Sequence, residues 1–236
     1  EISECLVGSE MCIETDIKHL TFYDGNHLFY ITSAGISLLN ISTSESRLLY
    51  SNTTEDFFQV PSLYYDDQLK RLWIGTGSAG LFYYDIIRKS LSDIPIRNFP
   101  KQPILAIRKD AKNTLLIGID GQGIWNISEK GDTILHIYKE DLNNPFSLRG
   151  DGVYDILCDG SKNWIATFTG KLSFFENNNS QITPVTYQIN NPNSLGNNYV
   201  NQIIEDHEGH IWFATNNGVS PVSYTHLRAH ETLANL

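Results

Sequence analysis

Five times along the chain a short apolar run ends in a small residue and a turn: LFYIT at 28–32, LWIGT at 72–76, LLIGI at 115–119, NWIAT at 163–167 and IWFAT at 211–215. Their second residues, Phe29, Trp73, Leu116, Trp164 and Trp212, are 44, 43, 48 and 48 residues apart. A period of that length, filled with strand-like sequence, is the signature of a β-propeller, in which each repeat supplies one four-stranded blade. The third repeat is the clearest: ILAIRKD (104–110), TLLIGI (114–119), GIWNIS (123–128) and TILHIYK (133–139) are short apolar runs separated by the turn formers AKN, DGQG and EKGD. The same division puts blades at about 17–59, 60–103, 104–150 and 151–198, with a partial fifth at 199–221 that stops after its second strand. The expected fold is all-β, a propeller fragment of about four and a half four-stranded blades from an incomplete ring.

The two ends are expected to be foreign. Leu6–Ile13 and Tyr224–Glu231, run antiparallel, can be written with complementary codons at all eight positions, from Leu6 CTC with Glu231 GAG to Ile13 ATA with Tyr224 TAT. DNA shared in opposite orientations looks like a sequencing-library adapter, so 1–13 and 222–236 are set aside as tags and scars are. Between them Cys158 is the one cysteine, which supports neither a disulfide framework nor a CxxC metal site. Residues 14–221 carry 23 acids and 16 bases, a mild acidity without the basic stripe that nucleic acid or an anionic membrane calls for. No apolar run approaches the ~20 residues of a membrane-spanning helix.

The recurring residues have packing explanations. An Asp closes the first strand of each repeat (Asp24, Asp67, Asp110, Asp159, Asp206), followed by Gly25, Gly160, Gly209 or Asn113, residues that reverse a chain through side-chain hydrogen bonds or positive φ. Trp73, Trp164 and Trp212 are placed to wedge between neighbouring blades, where a buried ring can still find a partner for its N–H. Gly75, Gly118, Ala166 and Ala214 suit the crowded inner part of a blade, and Thr76, Thr167 and Thr215 precede a second glycine turn.

The stretch NNPNSLGNNYVNQIIEDHEGHIWFATNNGV at 190–219 orders these features as an N-P-x-S-L loop, a strand, Asp, a Gly turn, aliphatic-Trp-aromatic-small-Thr, and Gly. In this it resembles the two-component regulator propeller repeat of hybrid two-component sensors of gut bacteria. NNPFSLRGDGVYDILCDGSKNWIAT, from Asn143, repeats the form with Asn163 where an aliphatic residue is usual, and LLIGI at 115–119 lacks both Trp and Thr. The resemblance implies a periplasmic sensor fragment of an inner-membrane protein, with an oligosaccharide ligand. Its implied partners are further blades, downstream signalling domains including a histidine kinase, and a homodimer contact.

Chemical motifs are sparse. GxSxG, HExxH and P-loop patterns are missing, and GQGIW at 121–125 is a blade turn because no helix follows it. Asp206, His207, Glu208 and His210 form the densest polar group, but they share one turn instead of converging from several elements. The chain is therefore expected to bind and not to catalyse, with no metal and no cofactor. Ligand-binding candidates are Asn144, Pro145 and Ser147 in one N-P-x-S-L loop and Asn191, Asn193 and Ser194 in the other, because rigid scaffolds carry specificity on their loops. The same residues also read as turn builders. Two other functions stay open: a metal-dependent propeller lyase using Glu208 and His210, and a scaffold for dimerisation.

Overall fold

The computed structural model describes residues 17–51, 62–169, 171–185 and 195–222. All regular elements among them are strands. Of the ends set aside above, 1–13 and 222–236, all but Val222, the last residue of β19, lie outside the described residues. The chain divides into two compact units, 1–104 and 105–236.

In the first unit β1 (His19–Phe22), β2 (His27–Thr32), β3 (Gly35–Asn40) and β4 (Ser46–Ser51) form one antiparallel sheet in chain order. β5 (Ser62–Asp66), β6 (Arg71–Gly75), β7 (Leu81–Asp85) and β8 (Ser90–Asp93) form the next. Alternation sends Phe29, Ile31 and Ile36 of the first sheet against Leu63, Tyr65, Leu72, Ile74 and Tyr84 of the second. Phe29 takes the wedge position that Trp fills elsewhere, its ring 5.2 Å from Tyr23 and 5.4 Å from Tyr65.

The second unit has three sheets: β9 (Ile104–Lys109), β10 (Leu115–Ile119), β11 (Gly123–Ile127) and β12 (Ile134–Tyr138); β13 (Val153–Cys158), β14 (Lys162–Thr167), β15 (Lys171–Glu176) and β16 (Thr183–Val185); and β17 (Val200–Glu205), β18 (Ile211–Thr215) and β19 (Gly218–Val222). The middle sheet is covered on both faces. Val153, Ile156, Ile165 and Phe175 meet Ala106, Leu116, Ile124 and Tyr138 of the sheet before it. Trp164, Ala166, Leu172 and Phe174 meet Val200, Ile203, Ile211 and Phe213 of the sheet after it. This explains why the second strand reads as an unbroken apolar run: neither face sees water.

Two expectations need correcting. The fifth blade does not stop after its second strand, since β19 pairs with β18 from Gly218 opposite Thr215 to Val222 opposite Ile211. Gly218 at φ +92° and the bond from Thr215 Oγ1 to the Gly218 carbonyl (2.8 Å) reverse the chain at once, and Pro221 is tolerated because β19 is the edge strand of its sheet among the described residues. In the second blade the turn is capped by Asp66, which accepts from the Gln68 and Leu69 amides at 3.0 and 3.1 Å. Asp67, the predicted cap, pairs instead with Lys70 at 2.6 Å. The ladder ends at Asp66 opposite Arg71, so the last paired residue, not the one after it, faces the turn amides.

The other four Asp residues cap as expected. Asp24 accepts from the Asn26 and His27 amides, Asp110 from Lys112 and Thr114, Asp159 from Ser161 and Lys162, and Asp206 from Glu208 and His210, all at 2.7–3.0 Å. A role missing from the sequence reading falls to Asp155, whose side chain is 10% exposed. It accepts from Arg108 Nη2 of β9 at 3.1 Å and from the Ile203 amide of β17 at 2.9 Å, so one carboxylate ties three successive inner strands.

Candidate functional site: the loop groove beside β12

The first N-P-x-S-L loop closes on itself. Ser147 Oγ donates to the Asp141 carbonyl at 2.8 Å and accepts from the Asp141 amide at 3.0 Å. Asn144 Oδ1 accepts from the Phe146 amide at 3.0 Å, and the Pro145 carbonyl accepts from Arg149 Nη2 at 2.6 Å. Leu148 is fully buried and anchors the loop in the core, and Leu195 does the same for the second loop. The polar residues of the motif are thus spent on the turn, as Pro, Asn and Ser in such loops tend to be.

What the loop builds is a groove. Together with β12 and the segment Ser180–Ile182 it encloses about 420 Å³, lined by Asn144 and Ser147 and also by His136, Tyr138, Asp141 and Phe146. Pro145 is not in the lining. The Ile182 amide donates to the Phe146 carbonyl at 2.9 Å and fixes the opposite wall. Tyr138 forms the floor, its ring stacked 4.8 Å from Phe175 and edge-on to His136 at 4.4 Å, and burial pushes its phenol up from the ordinary value. Phe146, at the variable position of the motif, is half exposed on the rim. An aromatic floor and rim, with amide and hydroxyl groups and the charged Lys139, Glu140 and Asp141 in the lining, can hold a small polar ligand. Of the sequence candidates the groove brings together Asn144 and Ser147, while Asn191, Asn193 and Ser194 lie outside the described residues. Phe146 and Tyr138 were missed; the signal available was an aromatic at the one free position of the motif.

The polar turn at 206–210 is built differently. His210 Nδ1 lies 3.3 Å from Asp206 and 3.5 Å from Glu208, and His207 Nε2 lies 3.8 Å from Glu208, with His207 90% exposed. The indole N–H of Trp212, donated to Asp206 Oδ2 at 2.8 Å, together with the turn amides, holds that carboxyl well below the usual carboxylate range. Asp206 is thereby committed to its own turn. Among the described residues no group of three or more His, Cys, Asp or Glu is placed to hold a metal ion.

Comparison with known proteins places this architecture. The extracellular domain of a putative hybrid two component system from B. thetaiotaomicron is similar at 22% identity and TM-score 0.65, covering 89% of this chain and 27% of that one. The extracellular domain of a putative one component system from the same organism is similar at 17% identity and TM-score 0.53, with 89% of this chain and 34% of that one covered. PorZ, a surface component of the type-IX secretion system of Porphyromonas gingivalis, is similar at 16% identity and TM-score 0.64, with 86% and 31% covered. The chain thus spans about a third or less of the length of these structures. No curated protein matches it. Residues 194–217, which include β17 and β18, match the family model described as two component regulator propeller. On propeller-type, all-β sheets, residues 194–217 thus match one repeat of the two-component regulator propeller family.

Proposed function

We propose that the chain is part of the extracytoplasmic, periplasmic sensor of a hybrid two-component regulator, binding an oligosaccharide and signalling to a kinase that lies outside it. The observation that carries this reading is the family match at 194–217, on a fold shared with extracellular domains of such systems. The groove beside β12 supports it with a pocket of sugar size whose lining combines aromatic faces, amides and hydroxyls with the charged Lys139, Glu140 and Asp141. The remaining blades and the signalling domains are its partners within the same protein. Binding without turnover is the reading adopted, because the lyase candidates would have to converge on a pocket, and Glu208 and His210 sit on an exposed turn.

The test is to recover the complete gene, reconstitute its product in vesicles and measure kinase autophosphorylation across a panel of oligosaccharides. A saturable response to one glycan, weakened by Phe146→Ala, is expected. Metal-dependent turnover of substrate, lost in Glu208→Ala or His210→Ala, would overturn the reading in favour of a lyase.

A further inference from the structure

Successive blades of the second unit repeat one backbone arrangement where the first strand begins and the second ends. The Phe168 amide donates to the Gly152 carbonyl at 2.7 Å in one blade, and the Asn216 amide to the Tyr199 carbonyl at 3.1 Å in the next. Each first strand then carries a register break, at Val153/Asp155 and at Val200/Gln202, which leaves Tyr154 and Asn201 outside the ladder. Such a break re-aims the side chain it releases. In each blade the released residue meets the one after the second strand: Asn201 Nδ2 donates to Asn216 Oδ1 at 2.8 Å, and the rings of Tyr154 and Phe168 lie 5.4 Å apart.

The backbone is therefore common to both blades, and the chemistry on it is not. Tyr154 and Phe168 are 36% and 65% exposed, an aromatic pair left in water where the next blade has two amides. Beside them Gly152 lets Phe168 and Asp120 close in on the backbone, because a Cβ there would lie 3.1 Å from Phe168 Cβ and 3.3 Å from Asp120 Oδ1. The next blade puts Tyr199 at that position, half exposed. Asp120 is exposed and its carboxylate has no hydrogen-bond or ion-pair partner among the described residues. The nearby cation, Arg149, is turned to the Pro145 carbonyl.

We infer that Asp120, Tyr154 and Phe168, brought together over Gly152, form a subsite for a neutral sugar unit. This rests on the sensor reading and is a different place from the groove beside β12. The two rings take the C–H face of a pyranose, and the carboxylate beside them takes its hydroxyls. A free carboxylate beside the platform, on a chain of net charge −10, selects against sulfated or uronic sugars.

The full chain is to be titrated by calorimetry with neutral trisaccharides of glucose, mannose, galactose and xylose, and with chondroitin and heparin disaccharides as the anionic probes. The expected result is saturable binding of a neutral sugar, weakened about tenfold by Phe168→Ala or Tyr154→Ala, as for the loss of roughly one stacking contact. Asp120→Asn should weaken it less, and all three variants should melt as the parent does. Binding that survives Phe168→Ala and Tyr154→Ala but is lost in Phe146→Ala would overturn this subsite and leave the sensor reading standing. A preference for the anionic disaccharides would overturn the assignment of a neutral ligand. The absence of binding to every glycan would remove the subsite and the oligosaccharide reading together. Self-association relieved by Phe168→Ala, with no response to sugar, would make the aromatic pair a protein contact and overturn the inference.

Discussion

Trp73 and Trp164 hold the same place in their blades and differ in one hydrogen bond, which makes them a matched test of what that bond is worth. Both are buried, at 0% and 1% exposure. Each has an aromatic cross-strand partner, Tyr83 at 5.4 Å and Phe174 at 5.1 Å, and a cation over the ring, Arg71 at 5.9 Å and Lys162 at 6.0 Å. Trp164 Nε1 donates to Asp159 Oδ2 at 2.7 Å, whereas Trp73 Nε1 is buried with no partner among the described residues. The blade of Trp73 caps its turn with Asp66 and commits Asp67 to Lys70, so no carboxylate reaches the indole. Trp→Phe deletes the same ring volume at both sites, so the transfer and cavity costs cancel in the comparison. What remains is a hydrogen bond to a charged group lost at 164 and an orphaned donor removed at 73, a difference of about 1.5–3 kcal/mol with Trp164→Phe the more destabilised. Urea denaturation followed by far-UV circular dichroism reads it. Equal costs, or a larger cost for Trp73→Phe, would refute the claim that the Asp–indole bond stabilises the blade.

Further consequences can be measured on the same material. Gly118→Val should cost about 2–3 kcal/mol by overpacking, because an ideal Cβ at 118 already lies 2.8 Å from Val153 Cγ1; an unchanged urea midpoint would contradict this. Asp155→Ala should cost about 3 kcal/mol or more, since it strips partners from Arg108 and from the Ile203 amide at once, and a loss near that of an exposed Asp would remove its tie between strands. Burial pushes the Cys158 thiol up to about 12, so a thiol reagent at pH 8 should modify it slowly in the native protein and at once in urea. The Asp206 carboxyl is depressed in the folded state. Its contribution is therefore present above the unfolded value of about 3.9 and is lost as pH falls through the lower folded value. The Trp212 indole N–H resonance should accordingly hold its neutral-pH position through pH 4; a midpoint at the ordinary Asp value would contradict the assignment.

The architecture was legible because a repeat states its packing several times over. Each recurrence of the short apolar run fixed a second strand, and the Asp residues fixed where first strands end, with the second blade displaced by one residue to Asp66. Asp155 escaped because its counterparts differ: Ala106 and Gln202 stand at that place in the flanking blades, so no repetition marked it. The N-P-x-S-L residues were visible for the opposite reason and are turn builders in the first loop, with Ser147 closing on Asp141 and Leu148 in the core.

This contrast shows where recognition has room to arise in such a chain. A residue that recurs in every blade is held by the requirements of a blade: capping a turn, filling the space between sheets, or giving a strand its inner taper. Its hydrogen bonds are consumed there, as those of Asp206 are by Trp212 and the turn amides. Side chains available to a ligand are the ones the blade does not need, and they are found by placing blades over one another and asking where equivalent backbone carries different chemistry. Phe146 at the free position of its loop, and Tyr154 and Phe168 where the following blade has Asn201 and Asn216, are such places. All sit on strand ends or loops fixed by buried neighbours, so variation there costs the scaffold little. Substituting them should change binding while leaving the melting temperature within a degree or two of the parent, whereas the recurrent Trp and Asp residues should do the reverse.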